Sequence, residues 1–517
     1  MNGEKLYPIG LSTFEEILRD GYVYVDKTRH VYSLTHTGKF YFLSRPRRFG
    51  KSLLISTLHT YFLGKRELFE GLDIAALEQE WTTYPVLRLD LNQSEYNREE
   101  SLTEVLNNTL CHWEQLYGTK ASETTPALRF QGIVQRAYEQ TGRGVVILVD
   151  EYDKPLLSTI VNEPLQQCYR AQLKAFYGVL KKQDPYIRFA LLTGVTKFSK
   201  VSIFSDLNNL MDISLMPEYA DLCGITEQEI HQYFEQPLHQ LAQAKGLTYE
   251  AALEKLRARY DGYHFGPHAV GVYNPFSLLC ALRANDYGSY WFETGTPTFL
   301  LDLLRQTSYD LEQLTHEQAS ASTLSDIEGF QEDPVPMLYR SGYLTITDYD
   351  DEFGVFTLGF PNQEVAQGFC EFIVPHYAPV NRRRVRFLIG NFVRSVNAGD
   401  ADGFMRQLQA LYDGVDYQII GSMEKHFHNS LFLIFHLMGF YTQVERHTSR
   451  GSIDLVVQTK DYIYLIECKL DKSAREALQQ IEDKKYAAPF ATDPRRIFKI
   501  GLNFSSATRS ISEYVIA

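Results

Sequence analysis

Short apolar runs alternate with longer stretches of helical spacing through the first part of the chain. KFYFLS from Lys39, YPVLRLDL from Tyr84, GVVILVD from Gly144 and IRFALLTGV from Ile187 predict strands. In GVVILVD the apolar residues are nearly continuous rather than alternating, as a strand requires when helices cover both faces of a parallel sheet. Strand and helix in alternation predict an α/β architecture, a parallel sheet flanked by helices. Beyond it, Ile225 to Phe265 carries helical periodicity with turn signals at Gly246 and Gly262, which predicts a small helical lid. VPMLYRSGYLTITDYDDEFGVFTLGFPNQEV, from Val335, predicts a helix and then two strands around a turn near Asp351 and Gly354. That order is compatible with a winged-helix module, which either binds DNA or packs between domains. Without a basic face, packing is the expected role. LFLIFHLMGF, from Leu431 to Phe440, has about half the length of a membrane span and contains a histidine, so it reads as a buried helix. Two more apolar runs surround Lys460 and Asp461.

A chain of 517 residues exceeds one hydrophobic core. The pattern divides it into an α/β domain over 1–220, the lid over 221–300, the winged-helix-like region over 301–375 and a C-terminal α/β domain over 376–517. Hydrophobic content of 44% and charged content of 22% exclude a disordered or fibrous chain. MNGEKLYPIG at the N-terminus lacks a basic segment followed by an apolar one, so a cytoplasmic protein without membrane attachment is expected. A formal charge of −13 argues against a chain coated in nucleic acid, so any basic face has to be local. RPRRFGK from Arg45, NRRRVRF from Asn381 and DPRRIFK from Asp493 are the candidates, each read equally as solvated or salt-bridged surface. Cys111, Cys168, Cys223, Cys280, Cys370 and Cys468 stand singly, with no C-x-x-C pair for zinc or redox chemistry.

Strand, loop and helix follow one another in KFYFLSRPRRFGKSLLISTLHTYF, the context a phosphate-binding loop requires. Such a loop turns backbone N–H groups at a helix N-terminus toward an anion, reaches the terminal phosphates with a lysine and places a hydroxyl on Mg²⁺. Gly50, Lys51 and Ser52 supply those positions. Arg45 stands where the first glycine normally does; Arg45 and Arg48 are candidate phosphate contacts, with surface charge as the plain alternative. At the end of GVVILVD, Asp150 would bind Mg²⁺ through water and Glu151 would polarise the attacking water. The alternative is a strand that ends in a polar turn. Thr193, at the tip of IRFALLTGV, either caps a turn or senses the γ-phosphate from a strand placed between those of the loop and of the acidic pair.

YVDKT from Tyr24, RPRRFGKSL from Arg45, VDEYDKP from Val149, TGVTKFSKVSIFSDLNNLMDISL from Thr193, DGYHF from Asp261 and YNPFSLL from Tyr273 occur in that order. Through these strings the first half of the chain resembles the bacterial AAA-ATPase-like family. The resemblance implies a P-loop NTPase sheet that binds and hydrolyses ATP with Mg²⁺. Arg-Pro-Arg-Arg-Phe is that family's usual loop, so Arg45 departs from the general phosphate-loop pattern but not from the family. A homo-oligomer stays open; in one, an arginine of a neighbouring subunit would complete the ATP site.

If Lys460 and Asp461 form a hairpin loop, Thr459 faces Tyr462 and Asp454 falls opposite Glu467, with Cβ atoms about 4.5–5.5 Å apart. Lys469 projects from the same face. On the other face Ile453, Leu455 and Val457 would meet Cys468, Ile466 and Tyr464. One face is therefore expected dry, while the other gathers two acids and a lysine. Close carboxylates repel unless a cation joins them, and oxygen ligands suit Mg²⁺ or Mn²⁺. The metal would polarise a phosphodiester and help to deprotonate water, with Lys469 orienting that water or neutralising developing charge. The alternative is a salt-bridged surface hairpin.

A helix upstream carries Glu424, and AREALQQIEDKKYA downstream places Gln480, Lys484 and Tyr486 on the next helix. Helix Glu, strand Asp, strand Glu-x-Lys and helix Gln in this order are similar to the PD-(D/E)XK nuclease superfamily, with Ile453 in place of its proline. Position by position the resemblance implies Asp454 and Glu467 as metal ligands, Lys469 as a catalytic residue, and Glu424 and Gln480 as support. The implied function is ATP-regulated cleavage of nucleic acid, DNA ahead of RNA. The alternative is an ATP-dependent switch or scaffold that binds nucleic acid or a protein partner without cleavage.

Overall fold

The structure is a computed structural model that describes residues 6–160, 162–196, 210–292, 301, 303–304, 307, 309–325, 333–378, 380–413, 422–439, 441–445 and 453–517. Residues 197–209 of the string that begins at Thr193, and Ser452 before the hairpin, lie outside them. The chain divides into two compact units, Met1–Leu303 with Thr315–Glu364, and Leu304–Leu314 with Val365–Ala517. The lid and most of the winged-helix-like region thus fall in the same unit as the phosphate loop.

In the first unit, β1 (Phe40–Ser44), β2 (Val86–Asp90), β3 (Val145–Asp150), β4 (Ile187–Gly194) and β5 (Met211–Asp212) form a parallel sheet in the order β2-β3-β4-β1-β5. Every residue of β1 and β3 is buried, which is why their apolar runs are continuous. Helices α1 (Lys51–Phe62), α2 (Glu100–Tyr117), α3 (Pro126–Thr141) and α4 (Glu163–Lys182) flank the sheet. Phe42, Val149 and Leu192 belong to the same core as Phe130, Leu173 and Phe176. α3 and α4 start by the same device: Thr125 and Asn162 cap backbone N–H groups, and a proline occupies the first turn. Parallel strands bring all C-terminal ends to one edge, where ligands bind in such sheets. With β4 between β1 and β3, Thr193 lies at that edge beside Leu43 on one side and Asp150 on the other.

Among the described residues four helices make the lid: α5 (Glu227–Tyr233), α6 (Glu235–Lys245), α7 (Tyr249–Tyr260) and α8 (Pro275–Ala284). Thr226 and Glu229 form a reciprocal capping box at the start of α5, and Ile230, Leu238, Leu256 and Leu278 share a core of their own. Farther on come β6 (Glu317–Ser320), α9 (Val335–Ser341), β7 (Thr345–Asp350) and β8 (Val355–Gly359). β7 and β8 are the hairpin that the pattern predicts; β6 adds a third strand, in the order β6-β8-β7. Val335 to Arg340 of α9 are all buried, so this helix packs inside its unit instead of offering a face to a DNA groove.

The second unit holds β9 (Gln443–Glu445), β10 (Leu455–Gln458), β11 (Tyr462–Leu470), β12 (Arg496–Ser505) and β13 (Ser510–Ile516), in the order β13-β12-β11-β10-β9. β11 and β12 are parallel and the other pairs antiparallel. In this unit α10 (Met423–Met438) is largely buried, and α11 (Ala474–Asp483) makes the crossover from β11 to β12. Among the described residues no helix is long and apolar enough to cross a membrane. None of the six cysteines forms a disulfide.

Candidate functional site

The phosphate loop runs from β1 into α1. Gly50 takes φ +92°, and α1 begins at Lys51 without a side-chain cap. Leu54 N–H donates to Gly50 O at 3.0 Å, so the N–H groups of the first turn before it have no intrahelical acceptor. Arg48 also takes a left-handed φ, +68°. Such a turn feeding a helix N-terminus makes a concave run of N–H groups suited to an anion. A cavity of about 470 Å³ opens over it, within the range of small-ligand sites. Ile9, Leu11, Phe276, Leu279 and Trp291 line its apolar side. On its polar side Arg47, Arg48, Lys51 and Lys154 face Glu151, a balance that favours a polyanion.

Lys51 is buried; its ammonium donates to the carbonyls of Arg45 and Pro46, both at 3.1 Å, and lies 3.6 Å from Glu151 Oε1. Glu151 sits just past β3 with φ +54°. Asp150, buried at the end of β3, accepts a hydrogen bond from Thr193 Oγ1 at 2.7 Å. Ser52 and Asp150 fit a hard divalent cation, Asp150 through its remaining oxygen.

Arg45 corrects the sequence-based expectation. It is 1% exposed, and its guanidinium donates to the carbonyls of Ser44 at 2.9 Å, Ser214 at 2.8 Å and Tyr219 at 2.9 Å while stacking 4.2 Å from the Phe265 ring centre. It braces the loop from behind and is not part of the cavity lining. Arg48 does line the cavity, with its guanidinium 4.8 Å from the Phe276 ring centre.

In the second unit the hairpin register is the one that alternation predicts. Thr459 N–H donates to Tyr462 O at 2.8 Å, and Leu455 pairs with Ile466, which sets Asp454 opposite Glu467. Glu467 is the hub. Its Oε1 accepts from Lys469 Nζ at 3.0 Å and from Gln480 Nε2, and its Oε2 lies 3.4 Å from Asp454 N. Asp454 Oδ2 in turn accepts from Cys468 N at 2.8 Å. Gln480 reaches Glu467 because α11 lies close against β12. Gly501 pairs with Glu467 in register, and a Cβ there would lie 2.6 Å from Leu478 N and press on Ala474 O.

One feature was not foreseen and two expectations change here. The acidic face is dry away from the acids, since Val456, Ile463 and Leu465 pack under Ile481 of α11. Lys484 and Tyr486 fall beyond the end of α11. Glu424 is exposed in the first turn of α10 and, among the described residues, no hydrogen bond joins it to the four clustered residues. Of the basic clusters, Arg386 pairs with Glu371, and Arg495 is engaged by Asp493, Thr459 O and Gln458.

Residues 8–204 match the family model described as "Predicted AAA-ATPase", and residues 422–514 match the model of the PD-(D/E)XK nuclease superfamily. Along its whole length the chain is 35% identical, over 528 residues and 99% of the relative, to the "Uncharacterized protein in vnfD 5'region" of Azotobacter chroococcum mcd 1. The chain belongs to the AAA-ATPase-like family and carries a PD-(D/E)XK nuclease superfamily domain.

Burial and, next, the charge of Asp454 push the Glu467 carboxyl of the nuclease superfamily domain above its ordinary value, while the Lys469 hydrogen bond pulls it back. That repulsion is what a divalent cation would relieve, and paired carboxylate oxygens fit Mg²⁺ or Mn²⁺. Among the described residues no group of three or more His, Cys, Asp or Glu gathers, so among them such a site would draw on these two carboxylates.

The first unit also holds neighbours of the phosphate loop that sequence reasoning missed. Asp153 is fully buried; its Oδ2 accepts from the N–H groups of Val195 at 3.0 Å and Thr196 at 2.6 Å and from Thr196 Oγ1 at 2.6 Å. Burial, with Glu151 nearby, pushes its carboxyl up to about 6. Trp291 Nε1 donates to Arg47 O at 3.0 Å, and Glu364 accepts from the backbone of Tyr290 and, at 2.8 Å, of Trp291. Asp153 lies inside VDEYDKP and could have been singled out there; Trp291 and Glu364 carry no local signal.

Proposed function

We propose that the chain binds and hydrolyses ATP at Gly50, Lys51 and Ser52, and that this activity governs cleavage of nucleic acid, DNA ahead of RNA, at Asp454, Glu467 and Lys469, in the cytoplasm. In the ATPase, Lys51 contacts the terminal phosphates, Ser52 and Asp150 hold Mg²⁺, Glu151 polarises the attacking water and Thr193, through its bond to Asp150, senses the γ-phosphate. In the nuclease, Asp454 and Glu467 hold Mg²⁺ or Mn²⁺, which when bound polarises the phosphodiester and acidifies water. Lys469, steadied by Glu467, neutralises charge as the phosphate becomes more negative. Gln480 fixes the Glu467 carboxylate from α11. The observation that carries this reading is the convergence of Asp454, Lys469 and Gln480 on the one carboxylate of Glu467.

Its test is plasmid cleavage with Mg²⁺ or Mn²⁺, with and without ATP. Asp454→Ala and Lys469→Ala should each abolish cutting, and cutting that survives both sinks the assignment. Lys51→Ala should weaken ATP binding, whereas Glu151→Gln should spare binding and slow hydrolysis. A second reading is an ATP-dependent switch or scaffold that binds nucleic acid or a protein partner without cutting. It is favoured by the bonds of Lys51 to its own loop and to Glu151, which a phosphate would exchange, giving the loop two arrangements.

A further inference from the structure

We propose that Arg48 completes the ATP site in cis, so that the catalytic arginine comes from the chain's own phosphate loop and no neighbouring subunit has to supply it. The inference rests on the nucleotide reading of this cavity. Three features of Arg48 lead to it. First, its backbone is left-handed at φ +68°, a conformation glycine adopts without strain and arginine does not. A loop that needed only backbone N–H groups here would be better served by glycine, so the side chain accounts for the arginine. Second, the guanidinium lines the cavity together with Lys51, Ser52 and Glu151. Third, its partner is weak and exchangeable. Arg45 is buried on three carbonyls and Arg340 donates to Leu324 O; Arg48 is exposed and rests on the Phe276 ring of α8 at 4.8 Å, and among the described residues no carboxylate pairs with it. An exposed cation–π contact is weaker than charge-assisted hydrogen bonds to phosphate, so the guanidinium leaves Phe276 for the terminal phosphate when ATP binds. The neighbouring Arg47 has its carbonyl held by Trp291, which keeps the loop in place while Arg48 turns.

In the reaction the water oxygen forms a bond to the γ-phosphorus as the bond to the β,γ-bridging oxygen breaks. ADP leaves with that electron pair, and the water proton passes to Glu151 and then to solvent. Arg48 neutralises the negative charge that builds on the γ-phosphoryl and bridging oxygens.

Arg48→Gly is the discriminating variant, since glycine takes the left-handed backbone without strain while the arginine side chain is removed whole. The expected result is a fall in kcat for ATP by about 10³-fold, with the Kd of a fluorescent ATP analogue changed by less than about tenfold. Added guanidinium should partly restore the rate, and Arg48→Lys should restore less than half of it. For the unaltered protein, kcat per chain should stay constant on dilution through whatever range of assembly light scattering records. Wild-type kcat in Arg48→Gly, or a rate per chain that falls as assemblies dissociate, overturns the proposal. Failure of the unaltered protein to bind the analogue, or tight binding by Lys51→Ala, overturns the nucleotide reading itself and is separately legible.

Discussion

Replacing Arg45 with lysine asks whether that residue braces the phosphate loop or binds nucleotide. Its guanidinium serves three buried carbonyls, Ser44 and Ser214 through Nη1 and Tyr219 through Nη2. Hydrogen bonds to a charged group are worth roughly 1.5–3 kcal/mol each. A lysine ammonium can take over the two carbonyls that share Nη1 but cannot span to Tyr219 as well, so one bond goes, at about 2 kcal/mol. The cation–π contact with Phe265 goes with it, at about 1 kcal/mol. The buried ammonium is also prone to lose its proton, so about 3 kcal/mol is a lower figure. For a unit of this size, about 2 °C per kcal/mol converts the loss into a thermal transition lowered by about 6 °C. Thermal unfolding followed by circular dichroism measures that, and titration of ATP into the folded variant should show an affinity within about threefold of the original. A variant with unchanged melting that binds ATP ten times more weakly would refute the reasoning and return Arg45 to the phosphates.

Asp454→Asn removes the charge that helps raise Glu467. A carboxyl raised in the folded chain opposes folding as the pH climbs from the unfolded value through the raised one, and the opposition is complete above it. In EDTA at neutral pH the variant should therefore melt higher than the original while losing any Mg²⁺-dependent rise; a lower melting point in EDTA counts against it. Asp153, near 6 against an ordinary 3.8, opposes folding by about 3 kcal/mol at neutral pH, a deficit that builds between those two values. Asp153→Asn should accordingly gain on the original in melting temperature as the pH is raised from 5 to 7.5, and a pH-independent difference would contradict this. Trp291→Phe loses the hydrogen bond to Arg47 O, worth about 1 kcal/mol, so ATP affinity should drop about fivefold. Titration calorimetry showing no drop would mean that Trp291 does not hold the loop.

What was legible in the sequence follows local rules. Strands β1 to β4 of the first sheet, the start of α1 at Lys51 and the pairing of Asp454 with Glu467 all come from periodicity, because a strand repeats every two residues and a hairpin loop sets the register; β5, two residues long, left no such pattern. What escaped is tertiary. RPRR shows three arginines alike, and only the packing of Ser214, Tyr219 and Phe265 around one of them makes Arg45 a brace. That the acidic face of the hairpin is also apolar away from the acids was not foreseen, because nothing within two strands reveals a parallel third strand, whose crossover helix covers Val456, Ile463 and Leu465. Lys484 and Tyr486 share the helical pattern of Gln480, yet α11 stops at Asp483 and Lys485 turns left-handed at φ +53°. Trp291 meets the phosphate loop across more than two hundred residues of chain, a distance no spacing rule spans.

Gly501 bears on how relatives of this chain should be sorted into active and inactive. It has no chemistry, yet its missing side chain is what lets the crossover helix settle deeply enough for Gln480 to brace Glu467. A relative that kept the aspartate, glutamate, lysine and glutamine but carried any side chain at that position would hold its helix off the sheet and leave its glutamate unbraced. Such a chain would look like a nuclease by its polar residues and be a decoy by its packing. Matching carboxylates alone gathers both kinds, and adding one glycine to the pattern separates them.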